Sequence, residues 1–210
     1  VLVEIFVSEF LPTTEAKIHK SGTLSLSLKN GVISSTTITA GGSGYVNAPT
    51  ITSSDSGTPS GFTAATLTAS IAAGAVSGIT IGDGGKDYNV PALSIAAPAA
   101  IVFDGSSSSI VSAADDTILL SSAQQSAFPV GSQLTYTNGG GTTIGGLTSG
   151  STFHVVFSSG SKIKLSATSG GSPINISGVG VGSAHTLTGT TATATAAKID
   201  GALDTLSIVE

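Results

Sequence analysis

Residues 24–51 read LSLSLKNGVISSTTITAGGSGYVNAPTI, and most of this pattern returns further along the chain. Gly74 follows Gly31, and Tyr88 follows Tyr45, at the same distance of 43 residues. A fixed period of this size is typical of a modular β array. The sequence therefore predicts an all-β fold with repeated β-hairpin units of about 43 residues.

Each copy predicts a β-hairpin followed by a glycine cluster and a tyrosine. Asn30-Gly31 between alternating apolar residues is the strongest short signal for a two-residue turn with positive φ, and Ala73-Gly74 stands in the same place in the second copy. The glycines predict a tight crossing of backbone over backbone, with the tyrosine packed over it. The predicted structural repeat residues are Asn30, Gly31, Gly41, Gly42, Gly44, Tyr45, Pro49, Gly74, Gly84, Gly85, Tyr88, Pro91 and, in a partial third copy, Gly201.

Changes in pattern divide the chain into four predicted segments. They are an N-terminal strand and linker (1–20), two tandem repeats (21–103), an inserted β module (104–190) and a partial third hairpin (191–210). Short strands between Gly and Ser turns predict that the inserted module is a small sandwich or barrel. Its predicted strands are Thr117–Leu120, Gln133–Thr137, Phe153–Phe157, Lys162–Leu165, Ile174–Ile176 and Ala184–Leu187.

The N-terminal stretch VLVEIFVSEF predicts a strand with apolar residues on both faces. One face carries Val1, Val3, Ile5 and Val7. This strand belongs either to a sheet of its own chain or, by strand donation, to the sheet of a neighbouring subunit. These four residues are therefore candidate assembly residues.

Composition excludes several classes of function. Only 9% of the 210 residues are charged, and the formal net charge is −5. Nucleic-acid binding needs a concentrated basic face, so no nucleic-acid partner is expected. No run of about 18 apolar residues exists, so no membrane insertion is expected. The chain has no cysteine, which excludes a disulfide framework and Cys-based metal sites.

The polar residues show no pattern typical of a catalytic or metal-binding site. None of the three histidines has a partner at metal-ligand spacing, and no nucleophile motif is present. We therefore expect no catalytic residues, no cofactor and no enzyme activity. Asp83, Asp87 and Asp116 are weak candidates for a Ca²⁺ site, because they offer oxygen ligands near glycines. A turn is the favoured interpretation of each, and Lys86 beside the first two would repel a cation.

The Gly41–Tyr45 cluster, with Pro49 and the preceding Asn30-Gly31-Val32, resembles a glycine-rich repeat of structural and tail-fibre proteins of tailed phages, especially marine and cyanobacterial phages. It also resembles repeats of large bacterial adhesins. The inserted module is similar to a second module that recurs in the same two settings. Its matching residues include Asp116-Thr117-Ile118, Tyr136, Asn138–Gly141, Phe153, Ile163-Lys164-Leu165 and Ala184-His185-Thr186-Leu187.

The resemblance implies a non-enzymatic structural protein of a phage virion, namely a tail-fibre, tail-associated or capsid-decorating subunit. The expected partners are further copies of the chain, other virion or surface structural proteins, and a host-surface glycan. One alternative is a bacterial extracellular adhesin or filament subunit that assembles through residues 1–10. A second alternative is a carbohydrate-binding module, which the absence of Trp disfavours.

Overall fold

The computed structural model describes residues 23–29, 31–56, 62–199 and 202–209, and it describes side chains within 31–56 and 62–199. Several predictions lie outside these residues. They are the N-terminal strand with Val1, Val3, Ile5 and Val7, and the turn residues Asn30 and Gly201.

Strands dominate the described residues, which confirms the all-β prediction. There are fifteen strands and one helical turn in this part of the chain. In chain order they are β1 Thr23–Lys29, β2 Val32–Ala40, β3 Ile51–Asp55, β4 Thr66–Ala72, β5 Ala75–Asp83, β6 Pro91–Ile95, β7 Ile101–Phe103, β8 Val111–Ser112, β9 Thr117–Leu119, α1 Ser122–Ser126, β10 Gln133–Thr137, β11 Thr152–Ser159, β12 Lys162–Ser166, β13 His185–Gly189, β14 Thr193–Ile199 and β15 Ala202–Val209.

The hairpin predicted in the second copy is present. Strands β4 and β5 pair antiparallel, and Ala72 lies opposite Ala75. The two turn residues, Ala73 and Gly74, have φ values of 48° and 71°. Positive φ at both positions is the requirement of a type I′ turn, whose twist matches that of the flanking strands.

The hairpins predicted at Asn30-Gly31 and within residues 191–210 are not formed. Instead β1 pairs with β15, and β2 pairs with β14. The strands on either side of Asn30-Gly31 therefore find their partners at the other end of the chain. Closed hairpins would pair the backbone groups of these strands equally well, so the turn signal at Asn30-Gly31 was not sufficient to fix which strands pair.

The inserted segment forms one curled sheet in the order β7-β13-β10-β11-β12-β9-β8. Sixteen buried residues between Ile101 and Leu187 form its core cluster. The strand predicted at Ile174–Ile176 is wrong: Ile174 N–H donates to the Leu165 carbonyl and Ile176 N–H to the Asp116 carboxylate. The Asp116 carboxylate thus accepts the hydrogen bond that a neighbouring strand would otherwise accept from Ile176.

The segment enters its sheet through β7 and leaves it through β13, and these two strands pair with each other. Ile101 lies opposite Leu187, and Phe103 lies opposite His185. Away from this pair, the segment contacts the first copy just after α1, where the Ala127 carbonyl accepts a hydrogen bond from Gly44 N–H at 3.0 Å.

Candidate functional site

The glycine clusters of the two copies contact each other's strands reciprocally. Val76 N–H donates to the Gly41 carbonyl at 2.8 Å, and Ile33 N–H donates to the Gly84 carbonyl at 2.9 Å. A Cβ atom on Gly84 would overlap the carbonyl oxygen of Ile33. The backbones therefore approach more closely than a side chain would allow.

Tyr45 packs over this crossing and is buried. Its backbone N–H donates to the Gly74 carbonyl at 3.0 Å. Its hydroxyl donates to the Ala96 carbonyl at 3.0 Å and accepts from Ala192 N–H at 2.9 Å. Tyr45 thus joins three segments: its backbone contacts the hairpin turn, and its hydroxyl contacts the residues just after β6 and just before β14.

Tyr88 has the corresponding position in the second copy. Its N–H donates to the Gly31 carbonyl at 3.0 Å. Its hydroxyl accepts from Ala65 N–H at 2.7 Å and lies 2.6 Å from the Ser53 hydroxyl. A Cβ on Gly31, whose φ is 61°, would overlap the carbonyl oxygen of Tyr88, so this position requires glycine for both conformation and space.

The remaining repeat residues border the same crossings. Gly42 and Gly85 have φ values of 69° and 66°, and each lies against the ring of the tyrosine in its own copy. Pro91 begins β6 opposite Asp55, whereas Pro49 precedes β3. These contacts give the predicted repeat residues a packing role.

A second buried polar cluster lies in the inserted segment. The hydroxyl of Tyr136 is 2.8 Å from Nδ1 of His185 and accepts a hydrogen bond from Ile144 N–H at 3.0 Å. Because the hydroxyl proton is then directed at Nδ1, this ring carries its proton on Nε2, which lies 3.2 Å from the Val181 carbonyl. Burial raises the pKa of Tyr136, an effect opposed by the hydrogen bond from Ile144.

The sequence did not predict this cluster. Tyr136 and His185 are 49 residues apart, and both are fully buried. The sequence signal for their burial was the alternation of buried and less buried residues along each strand. Leu134 and Tyr136 face the core from one strand, and His185 and Leu187 face it from the neighbouring strand. A buried His next to a Tyr is satisfied by hydrogen bonding and has no access to a substrate.

Two of the three carboxylates considered for Ca²⁺ accept hydrogen bonds from backbone N–H groups. Asp83 accepts from Gly85 N–H at 3.0 Å, and Asp116 accepts from Ile176 N–H at 2.8 Å. Asp87 has a left-handed backbone with φ of 61°. Among the residues with described positions, no three potential ligands come together.

A groove lies on the surface of the inserted segment. It has a volume of about 520 Å³, lies open between β7 and β9 and is lined by Val102, Phe103, Leu119, Leu120 and Gln124, among others. Asp104 borders this groove, and hydrogen bonds from the Ser106 hydroxyl and N–H lower its pKa. In the part of the chain with described structure, no helix has the length and apolar character to cross a membrane.

Comparison of the chain with family models, curated proteins and solved structures gave no match.

Proposed function

We propose that the chain is a non-enzymatic structural protein of a phage virion: a tail-fibre, tail-associated or capsid-decorating subunit. It acts by β-rich assembly and surface display, as a homo-oligomer in contact with other virion structural proteins. The sequence resemblance supports the assignment to a phage virion. The hydrogen bonds of the buried polar groups, which join distant segments, support a structural role.

One observation carries the proposal: all three tyrosines of the chain hold distant segments together. Tyr45, Tyr88 and Tyr136 are at most 3% exposed, and each hydroxyl contacts two other groups. Fully satisfied buried networks rigidify a fold and specify one arrangement of its core. A particle component needs this durability, whereas a sugar-binding surface needs exposed aromatic rings, which these tyrosines do not supply.

The 43-residue repeat is part of the proposal. Its support is the reciprocity of the contacts between the copies. The bond from Val76 to Gly41 has its counterpart, 43 residues away at each end, in the bond from Ile33 to Gly84. The bonds from Tyr45 to Gly74 and from Tyr88 to Gly31 are related in the same way.

The sheet edges of the inserted segment also suit a crowded assembly. The seven-stranded sheet ends in β7, of three residues, and β8, of two residues. Long exposed edges template uncontrolled pairing, and short edges limit it. A surface-displayed module with such edges remains soluble at the high local concentration of a particle.

Immunogold electron microscopy tests the proposal. An antibody raised against residues 104–189 is applied to particles purified by density gradient from the producing culture, and the same antibody pre-absorbed with the protein is the control. Label at fixed positions on phage particles is the expected result. Label along continuous threads would refute the proposal in favour of the filament subunit, and absence of label from particles would refute it directly. In a separate glycan array, specific binding would favour the carbohydrate-binding alternative.

A further inference from the structure

The hairpin of β4 and β5 provides a reference for strand pairing in this protein. Beside the turn, Ala72 pairs with Ala75. The register shifts twice on moving away from the turn, after the second pair and again after the sixth. These shifts lie at Ser70/Ile71 and Thr66/Leu67.

Strand β14 pairs with β2 in the same register, although no turn connects them. The pair nearest the missing turn is Ile199 with Val32. The register again shifts after the second and the sixth pair, at Ala197/Lys198 and Thr193/Ala194. Strand β14 therefore pairs with β2 in the register in which β4 pairs with β5.

Strands β1 and β15 repeat the first part of this pattern. Lys29 pairs with Ala202, Leu28 pairs with Leu203, and the register then shifts. Only two residues, Asn30-Gly31, separate β1 from β2, and only two residues separate β14 from β15. This arrangement is that of two hairpins that have opened at their turns and exchanged strands.

Gly31 has the φ and the hydrogen bond of the turn residue Gly74. Its φ of 61° is close to the 71° of Gly74, and its carbonyl accepts from Tyr88 N–H as that of Gly74 accepts from Tyr45 N–H, both at 3.0 Å. Closing the Asn30-Gly31 turn would place β1 on β2 in the reference register. This closure offers β2 a substitute partner while β14 leaves, so its backbone groups need not stay unpaired.

We propose that β14 and β15, the return arm (Thr193–Val209), exchange between copies of the chain, so that the arm of one copy pairs with β1 and β2 of another. The strand pairs are the same in both arrangements. The balance between them then depends on protein concentration, as in domain swapping. The inference goes beyond the proposed function, because it concerns the purified chain and requires no particle.

Cysteine cross-linking tests the exchange, because the chain has no thiol of its own. Thr37 and Thr195 are exposed and lie opposite each other on β2 and β14. Two single variants, Thr37→Cys and Thr195→Cys, with tags of different size, are refolded together and oxidised. The matched control is the mixture of Thr68→Cys and Thr80→Cys, an exposed pair at the same register position in the closed hairpin.

The expected result is a several-fold excess of cross-linked heterodimer from the first mixture, rising with protein concentration. Equal yields from the two mixtures would overturn the proposal. In a second experiment, Thr37→Cys and Thr195→Cys are combined in one chain and oxidised, which locks the arm. Light scattering should then show that the dimer formed by the unmodified protein is lost and that reduction restores it. A locked chain that still forms as much dimer as the unmodified protein would overturn the proposal, as would an unmodified chain that is monomeric at every concentration.

Discussion

Replacing Tyr136 by Phe removes a single hydroxyl and keeps the ring that fills the core. The hydroxyl bonds to His185 Nδ1 at 2.8 Å and to Ile144 N–H at 3.0 Å, and all three residues are fully buried. A typical hydrogen bond contributes about 1 kcal/mol net, and a buried group left unpaired costs about 1–3 kcal/mol. Because two buried groups lose their partner, we expect the free energy of unfolding to fall by about 2–6 kcal/mol.

Urea unfolding followed by far-ultraviolet circular dichroism measures this loss without relying on tyrosine fluorescence. The control is Ser109→Ala, which removes an exposed hydroxyl bonded to the Ser107 hydroxyl, and its expected effect is within about 0.5 kcal/mol. A Tyr136→Phe variant as stable as this control would refute the structural role of the buried cluster.

The same substitution has a pH signature. The folded-state pKa of Tyr136 is raised by burial, so the protonated phenol contributes stability below its unfolded pKa of about 10. That contribution is lost as the pH rises from there through the folded pKa. The stability of Tyr136→Phe should therefore depend less on pH above about 10 than that of the unmodified protein. If the stability of the two proteins depended on pH in the same way above about 10, the raised pKa of Tyr136 would be contradicted.

Two further predictions concern the first copy and the groove. Gly31→Ala should destabilise the protein by more than the roughly 1–2 kcal/mol that a left-handed Ala costs, because its Cβ also overlaps the Tyr88 carbonyl. Gly150→Ala, with φ of 81° and no atom near its Cβ, should show the conformational cost alone in the same urea titration, and equal losses would contradict the close crossing. In an NMR titration, Asp104 should have a pKa below 3.8, because the hydroxyl and the N–H of Ser106 both favour the carboxylate. This pKa should rise in Ser106→Ala, which loses the hydroxyl bond and keeps the backbone N–H. The stabilising effect of this ion exists above the unfolded pKa and is lost as the pH falls through the folded one, and an unchanged pKa in the variant would contradict the assignment.

The predictable part of the fold is the part that local chemistry controls. Alternating residues gave the strand Gln133–Thr137 with both bounds correct, and the turn at Ala73-Gly74 is where the sequence places it. The strand Ile101–Phe103 was not predicted, because three residues carry too little periodicity.

The pairing of strands was less predictable, because it depends on residues far apart in sequence. Asn30-Gly31 has the composition of a closed turn, yet β2 pairs with β14, about 160 residues further along the chain. The candidate site shows the same division. The glycine and tyrosine positions were visible as a repeated pattern, whereas the contact between Tyr136 and His185 exists only once two distant strands pair.

The pairing of β7 with β13 has an evolutionary consequence. The chain enters the inserted segment and leaves it through two strands that lie side by side. A segment whose ends are adjacent can be lengthened, shortened or replaced without displacing its attachment points. A substituted segment must also reproduce its other contacts with the first copy, which include the bond from Gly44 N–H to the Ala127 carbonyl and the bond from the Ser43 hydroxyl to the Gln133 carbonyl. Changes of length within the segment can therefore accumulate while the pairing of β7 with β13 and these contacts keep its attachment in place.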